Sequence, residues 1–550
     1  MSARHRTCLN LSRAAIPALI VAILFGVGGY ASEPAQATPE TVEFRSLDGS
    51  SNNPADAEVG SAGTMLRRMT PVGYMDGMSA MAGANRAGAR VVSNAVCAQT
   101  RSRLSRKRAS SFVWQWGQFV DHDIDMTMAM QPTEAADIPV PVGDPWFDPS
   151  GIGGVVIPFA RSAYNSATGG DVSSPREQVN SITTWIDASN IYGSNPVRVA
   201  ALRRNNGSGK LRMSRGQLLP RNHEGLANVG GPSPALFLAG DVRANEQVAL
   251  TAMHTLFMRE HNRWCRRIAR QSPQLTGEDI YQRARRLVGA QMQAITYREF
   301  LPMLLGKDAI APYSGYDSSV DARIHNVFST ASYRYGHSQL NATLLRLDAD
   351  RNEIAEGHLS LAQAFFAPDR LRNEGGISPL LRGLAAQRAQ AVDPYIIDEV
   401  RNFLFGPPGA GGFDLAALNI QRGRDHGLGS YNEVRETYGL ARVSSFDEIS
   451  KKAAVRARLA SVYSSVDDID AWVGGLAEDR LAGALVGELN RAVLVAQFQA
   501  LRDGDRFWYE RQLPPDTVAK INGLRLSRII EKNSDVGRAI LGRNAFRAKR

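Results

Sequence analysis

From about residue 90 onward, apolar residues recur at the spacing of an α-helix, and this pattern constrains the fold more than any other feature. Starting at Phe112, they fall at i, i+1, i+4, i+7, i+8 and i+12, which places them along one stripe of a helix. Helices are predicted at residues 112–124, 246–270, 320–336 and 451–505, with Ser110 or Ser111 and Asn245 as the N-caps of the first two. Strand candidates are few and short, so we expect a mainly α fold, a single large helical domain with few short strands.

Composition places the chain among globular proteins. Hydrophobic residues make up 43% and charged residues 21% of the 550 residues, which excludes wholesale disorder and collagen-like folds. No internal repeat with a period of about 20–50 residues is present, which argues against solenoids and propellers. Residues 38–90 are polar and rich in turns, and we expect them to form an arm packed on a core at residues 91–550.

The first 37 residues have the features of a secretory signal. Basic residues precede an apolar run from Ala14 to Val27, and Ala35-Gln36-Ala37 supplies a small-residue cleavage site. A membrane anchor is the alternative, but the run is shorter than the ~20 apolar residues that a span needs. We therefore predict that residues 1–37 are a cleaved signal peptide, that the mature protein is secreted or periplasmic, and that it has no stable membrane insertion.

Charge and cysteine content exclude further classes. The formal net charge is +10, and the densest basic patch, within residues 101–108, is interpreted as a solvated face. No zinc finger, aromatic ribonucleoprotein motif or Walker loop accompanies it, so we expect no nucleic-acid partner. Outside the predicted signal only Cys97 and Cys265 remain, and we expect two buried free thiols rather than a disulfide framework.

Five clusters of polar residues interrupt the apolar pattern, at residues 116–123, 183–189, 240–246, 333–338 and 418–427. In the first, Gln118 and His122 stand four residues apart and share a face of the predicted helix. In the second, an extended chain would place the oxygens of Thr183, Asp187 and Ser189 on one side, a set that suits calcium. Each cluster taken alone also fits a purely structural role, such as helix capping or a local ion pair.

Together and in this order, the clusters resemble the sequence blocks of the animal haem peroxidase superfamily. The blocks that contain these clusters are WGQFVDHDID, SITTWIDASNIYGS, FLAGDVRANE, YRYGH and LNIQRGRDHG, and a sixth matching block, MHTLFMREHNR, lies between the third and fourth of them. The resemblance covers about residues 42–545 and implies one helical catalytic domain. It implies a haem peroxidase that uses hydrogen peroxide to oxidise a halide, thiocyanate or a phenolic donor through an oxoferryl porphyrin radical.

The same resemblance implies a role for each matching residue. His122 corresponds to the distal histidine, Gln118 to the glutamine beside it, and Arg243 to the distal arginine. The residues implied for haem b are His337 as iron ligand, Asn419 as acceptor from its other ring nitrogen, Arg422 and Arg334 near the propionates, and Asp121 and Glu246 as ester-forming carboxylates. The residues implied for calcium are Asp123, Thr183, Trp185, Asp187 and Ser189.

These residue types suit peroxide chemistry. A neutral imidazole can take a proton from one peroxide oxygen and return it to the other. An arginine stays charged and can stabilise negative charge on the leaving oxygen. A histidine on the other face sets the electronic properties of the iron, and the partner of its second ring nitrogen tunes them.

Two departures from the family pattern narrow the expectation. Gln247 follows Glu246, where myeloperoxidase has a methionine that forms a third, sulfonium link to the haem. We expect that link to be absent, which favours bromide, iodide, thiocyanate or phenols over chloride. Ser51 stands where animal relatives have a cysteine. The whole chain has only three cysteines, and this scarcity suggests a bacterial member of the family.

Two other functions compete with the peroxidase. One is a fatty-acid dioxygenase of the same superfamily. The resemblance implies for such an enzyme a radical tyrosine three residues before the iron-binding histidine, here His337, but this chain has Arg334 at that position. The other is a non-catalytic module that only binds haem or calcium. The presence of His122, Arg243 and His337 together favours the enzyme.

Overall fold

The computed structural model describes residues 43–549, and helices make up most of its regular structure. The α-helices of eight or more residues are Phe112–Ile124, Val248–Gln271, Gly277–Ile295, Ser378–Ala386, Leu415–Asp425, Ala453–Ala460, Glu488–Asp503, Pro515–Asn522 and Leu526–Asn533. The shorter α-helices are Ala89–Val92, Ser189–Tyr192, Pro196–Leu202, Leu301–Leu305, Asn326–Thr330, Pro368–Asn373, Asp398–Arg401, Tyr431–Thr437, Phe446–Ile449, Ala471–Ala477, Tyr509–Gln512 and Arg538–Leu541. Tighter 3₁₀ turns occur at Arg215–Gln217, Ser332–Gln339, Leu361–Gln363 and Val466–Asp468, and wider π turns at Ser93–Cys97 and Thr296–Phe300.

Regular β-structure within the described residues is confined to two small antiparallel pairs of strands. Ile138–Pro139 pairs with Val156–Ile157, and Thr343–Leu344 pairs with Leu359–Ser360. From Phe44 onward the chain forms one compact unit. The predicted mainly α fold with few short strands is therefore confirmed.

Two long helices, Phe112–Ile124 and Val248–Gln271, pack against each other in the middle of the core. The Trp116 ring is fully buried and lies 5.6 Å from Phe257, whose ring is 5.2 Å from that of Phe119. Trp116 also donates through its indole N–H to Thr296 Oγ1 at 3.2 Å. Because large aromatic rings dominate core energetics, this contact holds the first helix firmly against the second.

The starts of these two helices differ in part from the prediction. Ser111 does flank the first helix, but its hydroxyl donates to Asn341 and makes no cap bond. The second helix begins at Val248, where the side chain of Gln247 accepts from Ala249 N at 2.7 Å, so the predicted cap Asn245 is wrong. The carboxamide of Asn245 is instead held by the backbone of Phe237, from which it accepts and to which it donates.

The predicted helix at residues 320–336 is also shorter than expected. Only Asn326–Thr330 is α-helical, and a 3₁₀ turn, Ser332–Gln339, follows it. The preceding segment is extended because Ile324 O accepts from Arg67 N at 2.8 Å, and Arg67 pairs with His325 in a parallel bridge. Residues 451–505 are helical as predicted but in separate pieces, Ala453–Ala460, Ala471–Ala477 and Glu488–Asp503.

The predicted signal, residues 1–37, lies outside the described residues, as do residues 38–42 of the predicted arm. In the part of the predicted arm that the structure describes, Arg45 donates to both carboxylate oxygens of Asp505 at 2.8 Å. The division into arm and core stays a prediction. No helix in residues 43–549 is long and apolar enough to cross a membrane. Cys97 and Cys265 are both buried and unpaired, which confirms the expectation of free thiols.

Candidate active site

His122 lies in the last turn of the Phe112–Ile124 helix, and its side chain is almost fully buried, at 4% exposure. Its Nδ1 is 3.6 Å from Asp241 Oδ1, and its Nε2 is 3.9 Å from Glu246 Oε2. Burial, together with the nearby charge of Arg243, holds the pKa of His122 well below its ordinary value. The imidazole is therefore neutral at physiological pH and can accept a proton.

Arg243 is held beside this histidine by a two-point ion pair. Its Nε donates to Asp241 Oδ1 at 2.9 Å and its Nη2 to Asp241 Oδ2 at 2.8 Å. A third bond runs from Nη2 to the main-chain oxygen of Asp125 at 3.0 Å. Burial alone would lower the pKa of Arg243, but the Asp241 charge raises it overall. The guanidinium is thus permanently charged and fixed in one plane.

A chain of amides connects the histidine helix to the start of the next long helix. Gln118 donates to Glu246 Oε2 at 3.1 Å, and Gln247 donates to Gln118 Oε1 at 3.2 Å. Gln247 also donates to Gln115 at 2.6 Å. Gln118 therefore lies beside His122 as the helical spacing predicts, and its orientation depends on Glu246 and Gln247.

Two carboxyl groups, Asp121 and Glu246, flank the histidine and arginine. Asp121 Oδ2 is 3.9 Å from Arg243 Nη1. Burial raises the pKa of both carboxyls to about 7, and for Asp121 the charge of Asp125 adds to this effect. Both groups are consequently poised between the neutral and the ionised form near neutral pH.

His337 lies in the Ser332–Gln339 turn, against which the Phe112–Ile124 helix packs. Its Nδ1 is 2.8 Å from Asn419 Nδ2, while Arg334 donates to Asn419 Oδ1 at 3.2 Å. Burial, with the charge of Arg334, lowers the pKa of His337 to about 3, so the ring is neutral. Within the described residues, no hydrogen-bond partner meets its Nε2, which leaves this nitrogen available as a metal ligand.

The orientation of Asn419 differs from the expected one. The family resemblance makes Asn419 an acceptor, but here its amide nitrogen faces His337 because Arg334 occupies its oxygen. A neutral imidazole that binds a metal through Nε2 keeps its proton on Nδ1 and needs an acceptor there. Metal binding by His337 therefore requires the opposite orientation of this amide.

The two further predicted arginines lie on the same side as His337. Arg334 also donates to Ser329 O at 2.8 Å. Arg422 donates to Ser162 Oγ at 2.7 Å and to Asp425 Oδ2 at 2.9 Å, and it stacks over the Phe159 ring at 4.1 Å. Burial lowers the pKa of Arg422 to about 10, which still leaves it charged. Two partly buried cations in this position suit an anionic group.

The predicted calcium residues meet in one buried cluster. Asp123 Oδ2 accepts from the backbone N–H groups of Asp187 and Ala188, both at 3.1 Å. The Ser189 hydroxyl lies 2.9 Å from the main-chain oxygen of Asp123 and 3.0 Å from its Oδ1. Thr183 Oγ1 and Asp187 Oδ2 are buried and have no hydrogen-bond partner in the described chain. The second cluster therefore collects hydroxyl, carboxylate and carbonyl oxygens around Asp123.

The sequence-based prediction assumes an extended backbone for this cluster, but the structure has a bend there. The backbone bends through residues 184–187, and Ser189 begins the Ser189–Tyr192 helix. The backbone N–H of Asp187 and the hydroxyl of Ser189 reach Asp123 because the backbone wraps around that carboxylate. The indole of Trp185 donates to Gly49 O at 3.0 Å. It carries no oxygen, so only the main chain of Trp185 can contribute one. No group of three or more His, Cys, Asp or Glu in residues 43–549 is suited to a metal.

Asp241 is the functional residue that sequence reasoning missed. It was visible in the Gly240–Glu246 block, two residues before Arg243, but no local pattern placed it against His122. Its side chain is only 1% exposed, and the charge of Arg243 lowers its pKa although burial raises it. His254 and His261, the two histidines of the Val248–Gln271 helix, are both fully buried in the core.

The elements that carry His122 and His337 touch. A Cβ on Gly117, one turn before Asp121, would lie 3.5 Å from the Tyr335 hydroxyl, two residues before His337. The structure thus brings His122, Arg243 and Gln118 to one part of the molecule, and His337, Asn419 and Arg334 to the neighbouring one. An acid–base pair, a free imidazole nitrogen and buried cations suit the binding of an anionic, metal-containing cofactor.

Comparison of the sequence with known proteins gives one consistent result. The family profile described as "Animal haem peroxidase" matches residues 44–546. Peroxidasin of Drosophila melanogaster is 35% identical over 543 residues, which cover 90% of this chain and 35% of that protein. Lactoperoxidase of Mesocricetus auratus is 37% identical over 552 residues, which cover 90% of this chain and 77% of that protein. The chain thus spans about a third of the first relative and about three quarters of the second.

Solved structures show the same architecture. Peroxidase A from Dictyostelium discoideum has a TM-score of 0.85 and 32% identity, over 92% of this chain and 99% of that chain. The fatty acid alpha-dioxygenase of Arabidopsis thaliana has a TM-score of 0.77 at 21% identity, over 92% of this chain and 83% of that chain. At this lower identity the likeness concerns the fold alone.

Proposed function

The chain belongs to the animal haem peroxidase family, and from this premise we propose that it reduces hydrogen peroxide at a haem b and oxidises a small donor. The observation that carries the proposal is the neutral, buried imidazole of His122 next to Arg243. Two hydrogen bonds to Asp241 fix the guanidinium of Arg243 in one plane. A base and a permanent cation at one point are what the cleavage of a peroxide bond requires.

The residues present fit a haem. With the Asn419 amide reversed, His337 offers a neutral imidazole whose Nε2 can bind iron, and Arg334 and Arg422 offer partly buried positive charge for the two propionates. Gln118 and the carboxyls of Asp121 and Glu246 lie on the side of His122. When bound, the haem would supply a redox-active iron that takes up the oxidising equivalents of the peroxide.

His122 would act on the proton. Its ring is uncharged at neutral pH, so it can take a proton from one peroxide oxygen and return it to the other as the O–O bond breaks. Arg243 would stabilise the negative charge on the leaving oxygen, and its two bonds to Asp241 prevent its rotation during this step. Gln118 would position the donor or a water molecule beside the base.

Asp121 and Glu246 are proposed to form ester bonds to the haem. In support, both are partly exposed carboxyls that flank His122 and Arg243, and desolvation raises the pKa of each to about 7, so each is available in its neutral form near neutral pH. Gln247 carries no sulfur, and its amide is occupied by Gln115 and Gln118. We therefore propose no sulfonium link, and donors such as bromide, iodide, thiocyanate or phenols rather than chloride.

A calcium ion is proposed at Asp123, Thr183, Asp187 and Ser189, with the main-chain oxygen of Trp185. The support is the buried Thr183 hydroxyl, which has no hydrogen-bond partner in the described chain, and the convergence of Ser189 on Asp123. Asp187 Oδ2 also makes no hydrogen bond, although Arg285 and Arg45 lie 3.8 and 3.9 Å from it. Burial and the charge of Asp187 hold the pKa of Asp123 well above its usual range, a repulsion that a cation would relieve. Because Asp123 follows His122, the ion would link the catalytic helix to the loop.

Secretion and a bacterial origin also remain proposals. Secretion is proposed because basic residues are followed by an apolar run within residues 1–37. The bacterial origin rests on the small number of cysteines.

The absorption spectrum of the purified protein tests the function. We expect a Soret band that shifts on addition of hydrogen peroxide and returns when bromide is added. His337→Ala should lose haem, whereas His122→Ala should retain haem and react slowly with peroxide. His223→Ala, at an exposed histidine, is the matched control.

Each competing function gives a different result in this test. Haem that binds normally but does not respond to peroxide would favour the non-catalytic module. Peroxide reactivity without donor turnover, together with oxygen uptake in the presence of a fatty acid, would favour the dioxygenase. Unchanged peroxide reactivity in the His122 variant would refute the role of His122 as the base.

A further inference from the structure

A cleft with a strongly positive lining contains none of the candidate active-site residues. Its volume is about 840 Å³, and its walls come from the loop 204–217, the Val248–Gln271 helix and the segment 532–535. The lining contains one acidic residue, Asp535, and six basic residues, Arg204, Lys210, Arg212, Arg259, Arg266 and Lys532. These residues define what we call the basic cleft.

Most of this charge is not neutralised by the protein. Asp535 is engaged by Arg382 at 2.8 Å, and Arg212 pairs with Glu224. Within residues 43–549, no carboxylate forms an ion pair with Arg204, Lys210, Arg266 or Lys532. The basic cleft therefore holds at least four cations without a counter-charge.

Arg259 adds a fifth positive charge in the wall. It donates to the main-chain oxygens of Gln217, Asn533 and Gly216 at 2.8, 2.9 and 3.0 Å, which are neutral acceptors. These bonds hold together the two segments that face each other across the cleft, so the cleft is built into the fold. Burial lowers the pKa of Lys532, the neighbouring cation Arg263 lowers it further, and the Glu260 carboxylate offsets part of this effect.

The positive surface continues into a second cleft of about 760 Å³, which shares Gly216 and Arg259 with the first. Its lining adds Arg215, Arg221 and Arg372, and it contains no acidic residue. Of these, Arg221 donates to a main-chain oxygen, and Arg372 pairs with the exposed Asp369. Two adjoining concave sites with the same sign of charge suit a ligand that is extended and carries repeated negative charges.

The shape and lining select among polyanions. A flat lipid surface cannot enter two concave clefts. Single-stranded nucleic acid is usually held by aromatic side chains on which its bases stack, and neither lining contains an aromatic residue. We propose that the basic cleft binds an acidic polysaccharide, whose repeated carboxylate or sulfate groups pair with Arg204, Arg266 and Lys532.

This site is separate from the haem chemistry. Arg259 is eleven residues beyond Val248, the first residue of its helix, which corresponds to about 16 Å along the axis at 1.5 Å per residue. The proposal does not depend on the proposed function, because it concerns binding alone. If both hold, the cleft would keep a source of oxidant bound to a polysaccharide.

The test measures the affinity of the full-length protein for a fluorescent dextran sulfate of defined length, with uncharged dextran and an oligothymidylate of equal charge as comparisons. The cleft variant is Arg204→Gln, Arg266→Gln and Lys532→Gln. The matched control, with the same change of net charge at exposed positions elsewhere, is Arg101→Gln, Arg106→Gln and Arg480→Gln. Thermal unfolding and the Soret spectrum of each variant are recorded, and single substitutions at Arg266 and Lys532 serve if the triple variant unfolds.

We expect the cleft variant to bind dextran sulfate roughly tenfold more weakly and with a shallower salt dependence, because three partly exposed charges are lost. The control should bind as the unaltered protein does. Equal weakening in both variants would show that only net charge matters and would overturn the proposal, as would no weakening in the cleft variant or no binding at all. Equally tight, cleft-dependent binding of the oligothymidylate would overturn the choice of polysaccharide.

Discussion

Replacing Asp241 by Asn tests the arrangement on which the proposed mechanism depends. The carboxylate accepts from two nitrogens of Arg243, at 2.9 and 2.8 Å, and only 1% of its side chain is exposed, against 14% for Arg243. Removing one partner of a buried ion pair costs about 3–5 kcal/mol, and the partial exposure of Arg243 favours the lower value. If the loss of about 3 kcal/mol is felt in the peroxide step, the rate falls by roughly a hundredfold.

The assay is stopped-flow absorbance of the haem band after mixing with hydrogen peroxide, between pH 5 and 8. The Asp241 charge raises the pKa of His122 against the effects of burial and of Arg243, so Asp241→Asn should lower that pKa further. Any acid limb of the rate profile should therefore move to lower pH. A merely structural role for Asp241 would not move it.

The chain contains a matched control for this variant. Asp321 holds Arg323 with the same two-residue spacing and the same two-point contact, at 3.0 and 2.7 Å, but on a more exposed surface. Asp321→Asn should leave the peroxide reaction unchanged. The reasoning is refuted if Asp241→Asn keeps its haem and reacts with peroxide at the normal rate, or if both variants lose the same amount.

Three further outcomes are expected. Glu246→Gln should leave one ester fewer, seen as easier release of haem in denaturant, and unchanged release would count against the tether. Asp187→Asn, or a calcium chelator, should lower the melting temperature and slow the peroxide reaction, because the oxygens around Asp123 would lose the proposed cation; a chelator without effect would contradict the proposed calcium site. Burial raises the pKa of Glu299 to about 7 from an ordinary 4.5, so the stability associated with the neutral carboxyl is fully present below pH 4.5 and is lost as the pH rises from there to about 7. Glu299→Gln should therefore stabilise the protein by up to about 3 kcal/mol at pH 8 and little at pH 5, and an equal shift in melting temperature at both pH values would refute this.

The sequence predicted the helix at residues 112–124 and the shared face of Gln118 and His122, because a helical stripe needs only neighbouring residues. It was less successful where distant parts of the chain compete with local pattern. Asn245 looks like a helix cap, but the backbone of Phe237 takes its amide and Gln247 caps instead. Residues 320–325 have a helical pattern, but pairing with Arg67 keeps them extended.

The candidate site shows the same division. The sequence by itself determined which residue types are present, that the chain is mainly helical, and the family to which its motifs belong, since these follow from composition, spacing and order. Only the tertiary structure decided that Asp241 contacts both Arg243 and His122, that Arg334 turns the Asn419 amide toward His337, and that the loop at 184–187 bends around Asp123. Hydrogen bonds and buried charges act over a few ångströms, and the packing of helices from distant parts of the chain determines which groups come that close.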